Sequence, residues 1–138
     1  MQQRKPYLLL ASLTIIIGMF FQANAGKQGQ AAIDSLTMIL AKQKDDTCKI
    51  TTLLAISFEY NYIDPVKGLE YAKQALELSR KLHDKNEEAG CIAMIGSCYR
   101  FMKDFDKSLE YSGIALKMDE EMHNDSAISW DLKNIGNT

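Results

Sequence analysis

Apolar residues recur at spacings of three and four along most of this chain. Between Gln30 and Lys42 they are Ile33, Leu36, Ile39 and Leu40, which predicts one amphipathic helix. The polar stretch Lys42-Gln43-Lys44-Asp45-Asp46-Thr47 breaks the pattern. Ile50, Leu53, Leu54, Ile56, Phe58 and Tyr60 resume it in a second helix ending near Tyr62. Asp64-Pro65 marks the next helix start, because Asp caps free N–H groups and Pro is harmless in a first turn. That third helix is expected to bury Val66, Leu69, Ala72, Ala75, Leu76 and Leu78, and to end in the polar stretch from Lys81 to Glu88. Further helices are predicted from about Glu88 to Met102, from about Asp106 to Met122, and from near Ser126 onward. Breaks at Lys103-Asp104 and His123-Asn124-Asp125 separate them. No strand-like alternation is visible, so the expected fold class is all-α, built of antiparallel helix pairs.

The helices also repeat in sequence. Leu69-Glu70-Tyr71 returns forty residues later as Leu109-Glu110-Tyr111. The same step carries Ala75-Leu76 to Ala115-Leu116, His83 to His123, Asp84 to Asn124 and Ile95-Gly96 to Ile135-Gly136. A fixed period of this size is the mark of stacked repeats, which present a binding surface more often than a catalytic pocket.

From Ala89 to Asp119 the residues resemble the tetratricopeptide repeat, a 34-residue helix–turn–helix unit. Ile92 stands at the large position of its first helix, Ile95-Gly96 at its Leu-Gly pair and Tyr99 at its tyrosine. Ser108, Leu109, Tyr111 and Ala115 supply the second helix, with small residues where the two helices approach. The preceding unit fits with Leu53, Ile56, Ser57, Tyr60, Gly68, Leu69, Tyr71 and Ala75, once one residue is dropped from its turn. Leu132, Ile135 and Gly136 begin a third unit, and the register places Gly96 and Gly136 at matching close contacts. Glu120 stands where the family often has proline. The six extra residues per unit are expected in the second helix or its loop.

The resemblance implies an antiparallel helix-pair solenoid, a right-handed superhelix with an N-terminal capping helix. It divides the chain into a leader (1–25), a linker and capping helix (26–48), and repeats over 49–138. The repeats fall at about 49–88 and 89–128, with a truncated third from 129, as in a fragment of a longer array. Lengthened repeats of this kind resemble those of exported bacterial proteins. The family's concave groove maps onto Thr51, Leu54, Phe58, Asn61 and Tyr62 in the first unit. In the second it maps onto Gly90, Ala93, Ser97, Arg100 and Phe101, and in the third onto Trp130, Lys133 and Asn137. Lys133 and Asn137 match two positions of a clamp that some members close on a C-terminal carboxylate. The implied function is a non-enzymatic scaffold binding a protein or peptide partner. The alternative is the N-terminal sensory region of a membrane signalling protein, such as a sensor histidine kinase or a DNA-binding regulator. A longer reading frame with a span of about 20 apolar residues would decide for it.

The first 25 residues stand apart from this pattern. Arg4 and Lys5 precede an uncharged apolar run from Tyr7 to Phe21, and Ala23-Asn24-Ala25 forms a small-x-small site. This is the pattern of a secretory signal peptide cleaved after Ala25, placing the protein in the periplasm or cell envelope. Membrane contact is expected only through this segment if uncleaved, or through regions beyond Thr138. Without Arg4 and Lys5 the chain keeps 14 basic against 18 acidic residues, a formal charge of −4. No basic block suggests nucleic acid as a partner.

Candidate chemistry changes the picture little. Cys91 and Cys98 lie seven apart on one predicted helix, roughly 10 Å along its axis, too far for a disulfide. They are expected as buried packing residues, and a redox role for Cys48, Cys91 or Cys98 stays open. His83 and His123 have no neighbouring ligand at helical spacing, so they are expected as surface loop residues and no metal site is predicted. Glu87-Glu88 and Glu120-Glu121 are expected as solvated helix ends. No nucleophile motif or phosphate-cradling glycine loop is present, so neither catalytic residues nor cofactors are predicted. Asn124-Asp125-Ser126 matches an N-glycosylation acceptor.

Overall fold

Five Asp or Asn side chains each open one helix in the computed structural model, which describes residues 28–138. The signal peptide expected over residues 1–25 lies outside the described residues. After a first helix (α1, residues 28–40) come α2 (Thr47–Tyr60), α3 (Pro65–Lys81), α4 (Lys85–Phe101), α5 (Phe105–Glu121) and α6 (Asp125–Gly136). Asp46, Asp64, Asp84, Asp104 and Asn124 stand just before α2 to α6. Each accepts a hydrogen bond from the backbone N–H three residues on, satisfying a donor that the first turn leaves free.

Four of these caps are twenty residues apart, and the reason is geometric. Helices α3, α4 and α5 each have 17 residues, and three residues join each to the next. The middle one, His83, Lys103 or His123, has φ of 56°, 62° and 56° respectively, a left-handed conformation that ends a helix. The following cap then donates its own N–H back into the helix just finished: Asp84 to the Ser79 carbonyl, Asp104 to Tyr99 and Asn124 to Asp119, at 3.0, 3.0 and 2.9 Å. One residue thus closes one helix and opens the next. The forty-residue period is therefore two equal halves. This corrects the expectation that the second helix or its loop carries the extra length. The first unit departs from the pattern through a shorter α2 of 14 residues and a turn one residue longer, Asn61 to Asp64.

Among the described residues the fold is all helical, with no strand. Successive helices from α2 to α6 pack side by side, and α4 also touches α2 and α6. The result is a stack of antiparallel helix pairs, the arrangement of a helical-repeat protein. Ile50, Leu53, Ala75, Leu78 and Cys91 form one buried cluster, Ala72, Ile95 and Cys98 a second, and Ile92, Ala93 and Ala115 a third. Leu76 packs against all three, so the core runs continuously across the pairs. From α1, Ile33 is buried and Leu40 packs against the first cluster.

The sequence repeat is also a repeat of contacts. Tyr60 stacks on Tyr71 at 5.5 Å, and Tyr99 stacks on Tyr111 at 5.4 Å. Lys67 lies over the Tyr60 ring and Lys107 over the Tyr99 ring. Close approach of the paired helices depends on glycine. A Cβ on Gly68 would stand 2.9 Å from the Ser57 carbonyl oxygen, and one on Gly96 would stand 2.7 Å from Ser112 Oγ. Gly136 departs from the expected match, since a Cβ there would meet nothing within 4 Å.

Three other expectations need correction. Val66 and Ile39, assigned to buried faces by periodicity, are 56% and 51% exposed. Glu88, expected in solvent, is buried and binds Arg80 Nε at 2.9 Å and Lys85 Nζ at 2.6 Å. Those two cations hold its carboxyl below the ordinary glutamate range, Lys85 contributing most. Across the first break, Asp45 similarly joins Lys49 to Lys81 at 2.9 and 2.8 Å, tying the α1–α2 loop to the end of α3.

Candidate functional site

The first helix of each unit, α2, α4 and α6, carries the residues mapped to a groove, and the structure sorts them into two places. At the C-terminal end of α2, Phe58 and Tyr62 lie one turn apart with ring centroids 5.6 Å apart, edge to face. Tyr62 in turn meets Phe101 of α4 at 4.9 Å and 70°. Arg100 holds its guanidinium 4.7 Å from the Phe101 centroid, a favourable cation–π arrangement. Phe58 is 43% exposed and Tyr62 67%, and Phe101 and Arg100 are half-buried. Four mapped residues therefore form one aromatic patch that core packing does not consume.

Asn61 and Ser97 are buried instead. Asn61 donates to Met94 Sδ at 3.8 Å, while its Oδ1 has no partner among the described residues and lies 3.1 Å from where a Gly68 Cβ would stand. Ser97 belongs to the packed side of α4.

The second place is a cavity of about 270 Å³ between α4, α5 and α6. Gly90, Ala93 and Met94 line it from α4, Asp119 from α5, and Ala127, Trp130 and Asp131 from α6. Gly90, Ala93 and Trp130 are groove positions of the sequence reading, here brought to one cavity. Trp130 is 43% exposed. Lys133 follows it along α6 and Asn137 stands just past the end of that helix; both are exposed and away from this lining.

Asp119 and Asp131 were not expected here. They are 2% and 1% exposed. Burial, then the proximity of Asp119, pushes the Asp131 carboxyl up to about 7, because a desolvated acid beside another acid keeps its proton. Asp131 Oδ2 has no hydrogen-bond partner among the described residues, while Asn124 Nδ2 donates to Asp119 Oδ1 at 3.4 Å. The forty-residue register could have revealed the pair. It places Asp131 where Cys91 stands one unit earlier and Asp119 where Ser79 stands. Cys91 and Ser79 are both fully buried and neutral, and burial pushes the Cys91 thiol up to about 12.

The remaining candidates lie outside these two places. Cys91 and Cys98 are buried and unpaired, and Cys48 is exposed. His83 and His123 sit exposed in their turns. Asn124 of the glycosylation match uses its Oδ1 to cap α6. Among the described residues no cluster of three or more His, Cys, Asp or Glu is placed to hold a metal, and no helix is long and apolar enough to cross a membrane.

No protein-family model matches the chain. Tetratricopeptide repeat protein 29 of Trypanosoma brucei brucei (strain 927/4 GUTat10.1) is 31% identical over 62 residues, covering 45% of this chain. The match spans 13% of that protein's length. This similarity and the paired helices are consistent with a tetratricopeptide-like family.

Proposed function

We propose that this chain is a non-enzymatic scaffold of the cell envelope that binds a protein or peptide partner through its first-helix face. The observation that carries the reading is the Phe58–Tyr62–Phe101 patch, joined by ring contacts of 5.6 and 4.9 Å and capped by Arg100. Exposed Phe58 and Tyr62 beside half-buried Phe101 and Arg100 gather aromatic and arginine side chains, the residue types that anchor partner proteins. A tetratricopeptide-like architecture supports it, since stacked helix pairs offer a long surface rather than an enclosed pocket. The leader over residues 1–25 supports export.

Peptides selected by display against the full chain provide the test. Phe58→Ala and Arg100→Ala should each weaken their binding by about tenfold, the loss of one moderate anchor, with helix content unchanged by circular dichroism. Selected peptides that bind both variants as tightly as the parent would remove the aromatic patch from consideration.

A further inference from the structure

Two buried carboxyl groups form part of the wall of an otherwise apolar cavity. The fold alone does not demand them. One unit earlier the same two places are filled by Ser79 and Cys91, both fully buried, so a neutral pair fills the equivalent interface between α3 and α4. None of the ion pairs among the described residues reaches Asp119 or Asp131. Buried carboxylates without a counter-charge are costly, and Asp131 Oδ2, in a residue 1% exposed, has no hydrogen-bond partner among the described residues.

The cavity beside them is shaped for one kind of visitor. Its volume of about 270 Å³ admits a long side chain. Gly90 is exposed, and a Cβ there would meet nothing within 4 Å, which leaves the α4 side open to a passing backbone. Ala93, Ala127 and Trp130 offer apolar contact to a methylene stem. The half-exposed indole offers a face on which a planar cation can stack. A guanidinium also carries five donors in a fork that matches carboxylate geometry, whereas an ammonium cannot lie flat on the ring. A metal ion would want a third ligand that the described residues do not bring.

We propose that the cavity between α4 and α6 receives an arginine side chain of an extended peptide, with its guanidinium on Asp119 and Asp131 and its stem against Trp130. This rests on the scaffold reading above and names the chemistry of its partner.

Trp130 is the chain's single tryptophan, so its fluorescence reports on this cavity alone. The full chain is titrated at about pH 8 and low salt with a blocked Ala-Arg-Ala peptide, and with the same peptide carrying citrulline, the neutral isostere. The arginine peptide should change the emission saturably. The citrulline peptide should bind at least about tenfold more weakly, as expected when a charge-assisted hydrogen bond is lost. Asp131→Asn keeps the side-chain shape and relieves repulsion, so the fold is not at risk. It should weaken the arginine peptide by a similar factor, with the circular dichroism unchanged. Equal binding of the two peptides, or undiminished arginine binding by Asp131→Asn, would overturn the proposal. If longer peptides still bind through Phe58 and Arg100 in that event, the scaffold reading survives and only the arginine pocket falls. If no peptide of any composition binds, both fall.

Discussion

Asp131 on α6 meets Asp119 on α5 inside the interface between those helices, with the two residues 1% and 2% exposed. Folding raises the Asp131 carboxyl from its ordinary 3.8 to about 7. Between those two values the folded chain holds a proton that the unfolded chain has released. This group's contribution to stability therefore falls as pH rises through that window. Asp45 and Glu88 act in the opposite sense. Their carboxyls are held low, Asp45 to about 2 by Lys81 and Lys49 and Glu88 by Lys85 and Arg80. What they add is present above their unfolded pKa and lost as pH falls through the folded one.

Comparison of the parent with Asp131→Asn isolates the first effect. The variant should melt at a higher temperature than the parent at about pH 8, and the gap should narrow as pH falls and close only below the ordinary 3.8 of the unfolded carboxyl, where Asp131 is protonated in both states. Thermal unfolding followed by circular dichroism across that pH range is sufficient. Equal melting temperatures at the higher pH would mean that the pair is not strained by its charge.

Glycine substitutions should divide by what a Cβ meets. At Gly68 it meets a backbone oxygen at 2.9 Å, which cannot rotate away. Gly68→Ala should therefore cost roughly 1–2 kcal/mol after the gain in helix propensity is deducted. At Gly113, in the middle of α5, it meets nothing within 4 Å. Gly113→Ala should stabilise by about 0.5–1 kcal/mol. Denaturant midpoints measure both, and the same sign for the two would refute the close seam between α2 and α3.

The left-handed turns make a third prediction. His83 and Lys103 hold φ of 56° and 62°, a region where a Cβ crowds the next carbonyl. Replacing either with glycine should raise stability by up to about 1 kcal/mol, the relief of strain exceeding the added freedom of the unfolded chain. A β-branched residue such as valine at Lys103 should lower it. No response in the midpoint from either change would place that turn in a different conformation.

Helix number and register were legible because apolar residues recur every three or four places and because Tyr60, Tyr71, Tyr99 and Tyr111 mark equivalent positions. Helix ends were less legible. Of the caps at Asp64, Asp84, Asp104 and Asn124, only the one followed by Pro65 announces itself. The turns between them use His or Lys where glycine would have been the recognisable stop. Phe58 and Trp130 fit the apolar spacing as core residues would, and periodicity cannot tell core from groove. Each proves 43% exposed. Glu88 and Asp131 were hidden for a different reason. A carboxylate on a helix is ordinarily solvated, and only the tertiary neighbours reveal that Glu88 is clamped by Arg80 and Lys85 and that Asp131 is pressed against Asp119.

The seams within the two complete helix pairs are filled by an exchange of sizes. Where α2 brings Ser57, α3 answers with Gly68 and Ala72; where α4 brings Gly96, α5 answers with Ser108 and Ser112, and all six are buried. Each helix is thus fitted to its own partner and not to its counterpart in the other unit. A chimera pairing α2 with α5 would crowd Ser57 against two serines, and one pairing α4 with α3 would leave Gly96 facing Gly68 and Ala72 across a gap. Recombination or engineering of this protein can move whole hairpins between positions, but a cut between the two helices of a hairpin severs residues that have to change together.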